Sequence, residues 1–305
     1  MVTMENSVFL QHIPVDEKYG VQLNIFRLDL LHPVIQGNKY FKLLYNLEFA
    51  IQEKKAIVTM GGPYSNHLYA CALACNSEHI PCYGIIRGTN FKYLSPTLQR
   101  SKDLGMQLIF TERDLFRNIR EQESIEAFFT MLETDELKLP KEHHFIPEGG
   151  SNAFGIQGSQ EILENIAPEY DYVFVPVGTG GTISGIIRYL KGEKTVVGVS
   201  SVNDEDLVNK IKTFTENQFD NWQLSFNYHF GGYAKWNSAL IDFINQFKKE
   251  HQVPLCPIYT GKMMFAIYDL LEKNYFPKES SILAIHTGGI QGIEGFNQVN
   301  KNILI

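Results

Sequence analysis

The sequence predicts an α/β protein of two lobes, each built on an open parallel sheet. Short apolar segments of strand length alternate with helical patterns along most of the chain. Glycine-rich turns follow several of these strands and lead directly into helices, which is where open parallel sheets bind ligands. The length of 305 residues is large for a single core and suits two lobes.

The composition is that of an ordinary globular protein, with 44% hydrophobic and 20% charged residues. A net charge of -7 without a basic stripe argues against a nucleic-acid partner. No apolar run approaches the ~18 residues of a membrane span. The segment Met1–Phe9 lacks a basic region followed by an apolar core, so we expect no signal peptide and a cytoplasmic protein.

The chain has four cysteines, Cys71, Cys75, Cys82 and Cys256. Cys71 and Cys75 lie one helical turn apart among alanines and leucines, a pattern that indicates small apolar packing. We see no further ligands at metal-binding spacing, and disulfides are rare in the expected compartment. The sequence therefore predicts neither a metal site nor a disulfide.

The motif Gly37-Asn-Lys follows an alternating strand, Val21–Phe26, and precedes a helical pattern. Asn38 is a good N-cap residue, so Lys39 is expected in the first turn of that helix. The helix macrodipole disfavours an ammonium group there and lowers its pKa. A lysine of low pKa is a nucleophile suited to holding a cofactor as a Schiff base. The plain alternative is an exposed lysine in an unfavourable position.

A second motif, Gly61-Gly-Pro-Tyr-Ser-Asn, joins the strand Ala56–Met60 to a helix over His67–Ser77. Free backbone N–H groups and the helix dipole make such a turn an anion site. The turn is short and stiff, so a substrate carboxylate fits it better than a phosphate. Alternatively, Ser65 or Asn66 only caps the helix, although capping and ligand binding are compatible.

The most informative motif is Gly178-Thr-Gly-Gly-Thr-Ile-Ser-Gly, which follows the apolar strand Asp171–Val177. Its glycines allow the backbone N–H groups to approach a phosphate, and Thr179 and Thr182 add hydroxyl groups. It lacks the Gly-Lys-Ser/Thr ending of a Walker loop, and Ile183 replaces the third glycine of a dinucleotide site. The motif predicts a site for one phosphomonoester; a turn without a ligand is the alternative.

The remaining segments continue the alternation of strands and helices. Arg27 and Asp29 are most simply interpreted as a surface ion pair. Gly231-Gly interrupts an aromatic segment and favours a loop that presents Tyr233. The other predicted helices are Pro96–Leu104, Glu112–Glu133, Phe154–Ile166, Asp204–Phe219, Ser238–Glu250 and Met263–Leu271, and the other strands are Cys82–Ile86, Met106–Phe110, Thr195–Ser200 and Ser281–His286.

Taken together, the motifs resemble those of the pyridoxal-phosphate enzymes of the tryptophan-synthase β fold (fold type II). Within them, the sequence is most similar to the 1-aminocyclopropane-1-carboxylate deaminase / D-cysteine desulfhydrase family. The similar segments run in order over nearly the whole chain: Arg27-Leu-Asp-Leu, Gly37-Asn-Lys with the following Lys42-Leu, Ser65-Asn-His, Pro147-Glu-Gly-Gly-Ser-Asn-Ala, Val177-Gly-Thr-Gly-Gly-Thr, Tyr259-Thr-Gly-Lys and His286-Thr-Gly-Gly.

The resemblance implies pyridoxal 5'-phosphate as cofactor, held by Lys39, which also moves the substrate Cα proton. It implies that Ser65, together with Asn66 and His67, binds the substrate, and that Tyr233 and Tyr259 stand beside the substrate side chain. Lys39, Ser65, Tyr233 and Tyr259 are thus the implied catalytic residues. The implied cofactor contacts are Asn66 to the phenolic oxygen, Gly178, Thr179, Gly180, Gly181 and Thr182 to the phosphate, and Thr287 to the pyridine nitrogen.

The expected domains are a larger one of residues 1–42 and 152–305 and an inserted smaller one of residues 43–151. A homodimer acting on a small amino acid is expected, without nucleic-acid or membrane partners. The sequence departs from the family pattern in two places. Phe41 replaces an arginine and is expected to change packing near Lys39, and Tyr64 replaces a glutamine and is expected to narrow the substrate pocket.

Two threonines, Thr260 and Thr287, bear on the reaction. The deaminases of the family have an acidic residue and a leucine at these places, and the acid keeps the pyridine nitrogen protonated. A hydroxyl holds that proton less well, and a weaker electron sink suits a good leaving group such as a thiol. We therefore expect a lyase that eliminates sulfide from D-cysteine, giving pyruvate and ammonia.

Several alternatives to this reaction stay open. The first is cyclopropane opening with release of 2-oxobutanoate and ammonia, in the lyase or hydrolase class. The second is a protein that binds pyridoxal phosphate as a carrier or sensor without catalysis. A serine or threonine dehydratase and a racemase are the remaining competitors among enzymes.

Overall fold

The computed structural model describes residues 9–32, 35–89, 92–122, 139–164, 166, 170–301 and 303–305. The strands, in chain order, are β1 Leu10–His12, β2 Gln22–Arg27, β3 Ala56–Gly61, β4 Cys82–Arg87, β5 Gln107–Thr111, β6 His143–Ile146, β7 Tyr172–Val177, β8 Thr195–Ser200, β9 Trp222–Ser225 and β10 Ser281–His286. The helices are α1 Asn38–Gln52, α2 Asn66–Ser77, α3 Pro96–Asp103, α4 Arg113–Gln122, α5 Ala153–Gln160, α6 Gly181–Leu190, α7 Leu207–Phe214, α8 Ser238–His251, α9 Thr260–Glu272 and α10 Gly292–Val299.

The chain divides into two compact units. The large unit comprises Met1–Asn38 and Ile156–Ile305, and the small unit comprises Lys39–Gly155. The division therefore falls immediately before Lys39, inside α1. The sequence-based domain bounds, 42/43 and 151/152, stay a prediction.

The large unit contains a six-stranded sheet in the order β1-β2-β10-β7-β8-β9. All neighbouring strands are parallel except β1 and β2, which are antiparallel. β7, β8 and β10 are buried almost throughout, as expected for parallel strands that are covered on both faces. Side chains of α8 and α9 complete the same apolar core.

The small unit contains a four-stranded, fully parallel sheet in the order β5-β4-β3-β6. β3 is buried along its whole length, and α2 contributes a buried surface of small side chains. None of the helices in the described part of the chain is long and apolar enough to cross a membrane.

The α/β class and the parallel sheets are confirmed, and several element bounds are corrected. The helix predicted over Asp204–Phe219 is only α7, and strand β9 follows it, which the sequence did not predict. Glu216 and Asn217 adopt positive φ angles of 55° and 54°, which ends the helix. α5 also ends early, at Gln160. The predicted helix Glu112–Glu133 is described only as far as Gln122, because residues 123–138 lie outside the described residues.

The start of α9 also differs from the expected Met263. The helix begins at Thr260, whose hydroxyl oxygen accepts a hydrogen bond from the Cys256 N–H at 2.8 Å. The Gly261 N–H donates to the Cys256 carbonyl at 2.8 Å. With these two bonds, the residues Thr260-Gly-Lys form the first turn of α9, and Tyr259 is the N-cap residue of that helix.

Candidate active site

Asn38 connects the lysine motif to two other sequence-predicted residues of the large unit. Its backbone N–H donates to the Thr287 carbonyl at 3.2 Å, and its side-chain Nδ2 donates to Thr182 Oγ1 at 2.7 Å. Asn38 is the first residue of α1, so the prediction that it is the N-cap was wrong. Its amide is used instead to join the start of α1 to the glycine-rich loop after β7.

Gly37 explains why this approach is so close. Its φ angle is +70°, and a Cβ atom there would lie 2.0 Å from the Thr287 carbonyl oxygen. Only glycine therefore fits against the end of β10 in this conformation. The segment just before Lys39 is held by backbone contacts, which fixes where α1 begins.

Lys39 is half-buried in the first turn of α1, and its Nζ lies 3.5 Å from the Gly149 carbonyl oxygen. Burial lowers the pKa of Lys39 to about 8. The direction agrees with the sequence prediction, and loss of water around the amine is the cause that the structure shows. An amine with this pKa has a larger neutral fraction near physiological pH than an ordinary lysine, and the neutral form is the nucleophile.

Lys42, one turn further along α1, contrasts with Lys39. It is 1% exposed, and its Nζ donates to the Gly149 carbonyl at 2.9 Å and to Ser151 Oγ at 3.0 Å. Burial, reinforced by the nearby charge of Lys39, lowers the pKa of Lys42. The sequence assigned Lys42 to a family motif but gave it no role, although its i+3 spacing places it on the same helix face as Lys39. Its amine is held by two short bonds, whereas the contact of the Lys39 amine with Gly149 is longer, at 3.5 Å.

Ser65 and Asn66 stand where the sequence predicts an anion site. Ser65 is the N-cap of α2, and its hydroxyl accepts a hydrogen bond from the Leu68 N–H at 3.3 Å. The Asn66 side-chain oxygen is buried and has no hydrogen-bond partner among the described residues. A buried amide group without a partner costs free energy, and a bound polar ligand would remove that cost.

His67 is 2% exposed and is held by Thr59. The Thr59 hydroxyl donates to the Ile146 carbonyl at 2.8 Å, so it accepts a bond from His67 Nε2, also at 2.8 Å. Nδ1 is then the unprotonated nitrogen, and within the described structure it has no partner. Burial, together with the charges of Lys39 and Lys42, lowers the pKa of His67, which keeps the imidazole neutral.

The loop after β7 has the geometry of a phosphate site. Gly180 caps α6 with a φ angle of +87° and without any side-chain hydrogen bond to the helix. The first backbone N–H groups of a helix have no intrahelical partners, so this turn offers them to a ligand. Gly181 and Thr182 lie in the first turn of α6, and Thr179 is half-buried just before it.

Ser201 is a further polar residue beside this loop, which the sequence reasoning missed. Its backbone N–H donates to the Val177 carbonyl at 2.8 Å, so it lies next to the end of β7. Its hydroxyl is buried and without a partner in the part of the chain that the structure describes. The paired Ser-Ser at the end of a core strand was the available signal.

Tyr233 and Tyr259 are brought together in the large unit. Their ring centroids are 6.3 Å apart in an edge-to-face arrangement. A Cβ atom on Gly178 would lie 3.0 Å from the Tyr259 ring, so this tyrosine also borders the glycine-rich loop. Tyr233 is 44% exposed, as expected for a side chain presented by a loop.

Lys262, the last residue of the Tyr259-Thr-Gly-Lys motif, holds the loop that carries Tyr233, a role that the sequence did not predict. This side chain is fully buried, and its Nζ donates to the carbonyls of His229 at 2.8 Å and Gly232 at 2.9 Å. Burial lowers the pKa of Lys262 to about 8. Because Lys262 lies on α9, it ties the Tyr233 loop to the helix that follows Tyr259.

Thr287 follows a buried charged cluster at the end of β10. Asp29 accepts two hydrogen bonds from Arg27, at 2.9 and 2.7 Å, and lies 3.0 Å from His286 Nδ1. Burial opposes ionisation of Asp29, but the bonds from His286 and Arg27 prevail and lower its pKa. The interpretation of Arg27 and Asp29 as a surface ion pair was therefore wrong, since both are buried.

The two departures from the family pattern have different environments. Phe41 is 4% exposed and packs edge-to-face on Tyr40, with ring centroids 5.4 Å apart. Tyr64 is 42% exposed at the surface of its loop. Phe41 is thus a packing position, and the effect of Tyr64 on a substrate pocket stays a prediction.

Residues 9–288 match the sequence model of the protein family of pyridoxal-phosphate dependent enzymes. The chain belongs to this family. An Arabidopsis thaliana protein named as a bifunctional D-cysteine desulfhydrase/1-aminocyclopropane-1-carboxylate deaminase is 30% identical, over 90% of this chain and 74% of its own. A Pyrococcus furiosus protein, by name a candidate 1-aminocyclopropane-1-carboxylate deaminase, is 28% identical over 93% of this chain and 89% of its own.

The fold comparison agrees with the family assignment. The crystal structure of a homologue of ACC deaminase superposes with a TM-score of 0.80 at 24% identity, covering 97% of this chain and 93% of that chain. The fold-type-II prediction and the resemblance to the deaminase and desulfhydrase proteins are therefore confirmed. The cofactor is pyridoxal phosphate. The turn after β7 fits its phosphate, since Gly180 leaves helix N–H groups available there.

Proposed function

We propose that the protein is a lyase that converts D-cysteine and water to pyruvate, ammonia and hydrogen sulfide. Membership of the pyridoxal-phosphate family and the bifunctional name of the Arabidopsis thaliana relative support this class of reaction. A hydrolase finds no support in the comparisons. The choice of substrate rests on the hydrogen bonding of Thr260. The deaminases of the family have an acid at this position, which would keep the pyridine nitrogen protonated.

Thr260 is fully buried, and its hydroxyl oxygen accepts the Cys256 N–H. A threonine bound in this way supplies no carboxylate to keep a pyridine nitrogen protonated. Thr287, at the end of β10, has a hydroxyl rather than an acid too. Both features support elimination of a good leaving group, since a thiol with a pKa near ~8.5 leaves more easily than carbon.

For the cofactor, we propose Lys39 as the attachment point, because its amine is neutral at lower pH than an ordinary lysine. The cofactor, when bound, supplies the electron sink for the bonds at the substrate Cα. Gly178, Thr179, Gly180, Gly181 and Thr182 would hold its phosphate, Asn66 its phenolic oxygen, and Thr287 its pyridine nitrogen.

For the substrate, we propose that Ser65 and the N-terminus of α2 bind the carboxylate. The positive end of the helix dipole and the Ser65 hydroxyl favour a negative charge there. Lys39 would then accept the Cα proton as a base, with Tyr233 and Tyr259 beside the departing thiol. We propose that Asn66 and His67 also bind the substrate, His67 as a neutral imidazole, which its lowered pKa supports.

The experiment is to measure keto-acid release by the purified, cofactor-loaded protein with D-cysteine, L-cysteine and 1-aminocyclopropane-1-carboxylate in parallel. We expect pyruvate and sulfide in equal amounts from D-cysteine, and none with the Lys39→Ala variant. Release of 2-oxobutanoate at a comparable rate would favour the deaminase alternative instead.

A second candidate is a carrier or sensor of pyridoxal phosphate, which the departures at Phe41 and Tyr64 favour. The paired tyrosines argue against it, because a carrier needs no aromatic groups beside a substrate. A protein that binds the cofactor but releases no keto acid from any of the three amino acids would support the carrier. The homodimer and the cytoplasmic location stay predictions.

A further inference from the structure

Three of the four cysteines meet in the core of the small unit. Cys71 and Cys75 lie one turn apart on α2, and Cys82 begins β4. The Sγ atom of Cys71 is 4.0 Å from that of Cys75 and 3.9 Å from that of Cys82. All three sulfur atoms lie within 4.8 Å of one another. The sequence suggested only the first pair, because nothing in it showed that β4 returns to α2.

We propose that Cys71, Cys75 and Cys82 bind one soft metal ion, of the class of monovalent copper. Three thiolates around an ion with bonds of about 2.3 Å stand about 4.0 Å apart in a planar trigonal arrangement. Two of the observed sulfur separations already have that value. An ion could therefore enter the triangle with little movement of α2 or β4.

The ligand set determines which ions fit. Thiolates select soft ions such as monovalent copper, whereas structural zinc sites use four ligands in a tetrahedron. Among the described residues, the ligand group consists of these three sulfur atoms and includes no carboxylate or imidazole. A three-coordinate soft ion satisfies that set, and zinc would lack its fourth ligand.

Binding of the ion would be coupled to loss of the thiol protons. The thiolate is the form of cysteine that binds metals. The three thiols would lose their protons as the metal–sulfur bonds form, which releases protons to the solvent.

Cys82 is the ligand that lies nearest to the surface. Cys71 and Cys75 are 0% and 1% exposed, and Cys82 is 5% exposed. Pro81, the residue before Cys82, lines a surface cavity of about 460 Å³ together with Glu78 and His79. Cys82 therefore adjoins this cavity along the chain.

The test is a competition for monovalent copper between the cofactor-loaded protein and a coloured copper(I) chelator, under reducing and anaerobic conditions. We expect the wild-type chain to withdraw one copper ion, and X-ray absorption to give three sulfur neighbours at about 2.3 Å. Cys75→Ser should bind at least about 100-fold more weakly, because a serine hydroxyl is a hard and poor ligand for copper(I).

The matched control is Cys256→Ser. Cys256 is equally buried but belongs to the large unit, outside the cluster, so this variant should bind copper as the wild type does. The cofactor absorbance of each variant checks that it is folded, and Cys71→Ala provides a second variant that removes a ligand. If wild type and Cys75→Ser compete equally with the chelator, or neither does, the three thiols are only packing groups. The outcome does not depend on the amino-acid substrate of the protein.

Discussion

Two loops of the molecule each join a strand to a helix, but they differ in the residue that caps the helix. The serine-capped loop, Gly61–Ser65, joins β3 to α2 in the small unit, and the glycine-capped loop, Gly178–Gly180, joins β7 to α6 in the large unit. In the first, the Ser65 hydroxyl accepts the Leu68 N–H at 3.3 Å. In the second, Gly180 reaches a φ angle of +87° and offers the helix no side-chain cap.

This difference indicates which anion suits each loop. A serine cap occupies one of the free helix N–H groups and leaves a hydroxyl beside the rest, which suits a small carboxylate. A glycine cap leaves all of them to the ligand and permits close approach, which suits a phosphate. One protein can therefore hold two anionic groups by the same backbone feature and distinguish them by the cap.

The largest expected effect concerns the pH dependence of cofactor attachment at Lys39. With a pKa of about 8, Lys39 is protonated and unreactive at low pH. The rate at which apoprotein takes up pyridoxal phosphate should rise about tenfold per pH unit up to pH 8 and then level off. Stopped-flow absorbance measures it, with a simple alkylamine as reference in the same buffers. A rate that still climbs tenfold per unit above pH 9 would indicate an ordinary lysine.

The next effect tests the glycine-capped loop through Gly180→Ala. An alanine at φ +87° is strained by about 1–2 kcal/mol, and its Cβ would lie 3.2 Å from Ile211. We expect the turn to shift and the phosphate to lose one hydrogen bond, which is worth about 1.5–3 kcal/mol, so cofactor affinity should fall at least about tenfold by fluorescence titration. Pyridoxal, which lacks the phosphate, should lose much less affinity.

The control for this variant is Gly192→Ala. Gly192 has a similar φ angle of +90° and open space around its Cβ position, and it lies after the other end of α6. It should lose similar stability and keep its affinity for the cofactor. Equal losses of affinity in both variants would mean that strain, and not a phosphate contact, explains Gly180.

A smaller effect tests the serine-capped loop through Ser65→Ala. Loss of one hydrogen bond to a charged group costs about 1.5–3 kcal/mol, so KM for the amino acid should rise at least about tenfold. Asn237 caps α8 in the same way, accepting the Leu240 N–H at 3.0 Å. Loss of either cap should lower the free energy of unfolding by ~1 kcal/mol in denaturant. Asn237→Ala should leave KM unchanged. A KM that Ser65→Ala leaves unchanged would reduce Ser65 to a helix cap.

The smallest effect concerns Lys262, which neither loop contains. Lys262→Met keeps the length of the side chain but removes both bonds to the Tyr233 loop, at His229 and Gly232. We expect faster hydrogen exchange in that loop and a severalfold rise in KM, with cofactor affinity unchanged. Lys273→Met is the control, because Lys273 directly follows α9 and its side chain is exposed. Unchanged exchange would show that the loop does not depend on Lys262.

The sequence predicted the features that are local along the chain. A strand, a glycine turn and a helix start can be recognised within ten residues, which is why the loops at Gly61 and Gly178 were found. Gly231-Gly also marked the loop that presents Tyr233, whereas Tyr259 was selected through the family resemblance.

The features that were missed depend on contacts between distant segments. Lys42 and Lys262 look like surface lysines until their carbonyl partners, far away in sequence, are known. Arg27 and Asp29 look like a surface ion pair until β2 is seen beside β10, whose His286 completes the cluster. Asn38 is a residue type that often caps helices, but its side chain donates a hydrogen bond to Thr182 instead. In each case, tertiary structure overrode a correct local preference.

The most direct test of the account is to reduce the cofactor-loaded protein with borohydride, digest it and locate the pyridoxyl group by mass spectrometry. Lys39, Lys42 and Lys262 all have lowered pKa values, so the assay lets three lysines of the same protein compete. We predict the modification on Lys39, since the other two amines are held by short bonds to carbonyl oxygens. A pyridoxyl group on Lys42 or Lys262 instead would contradict the account.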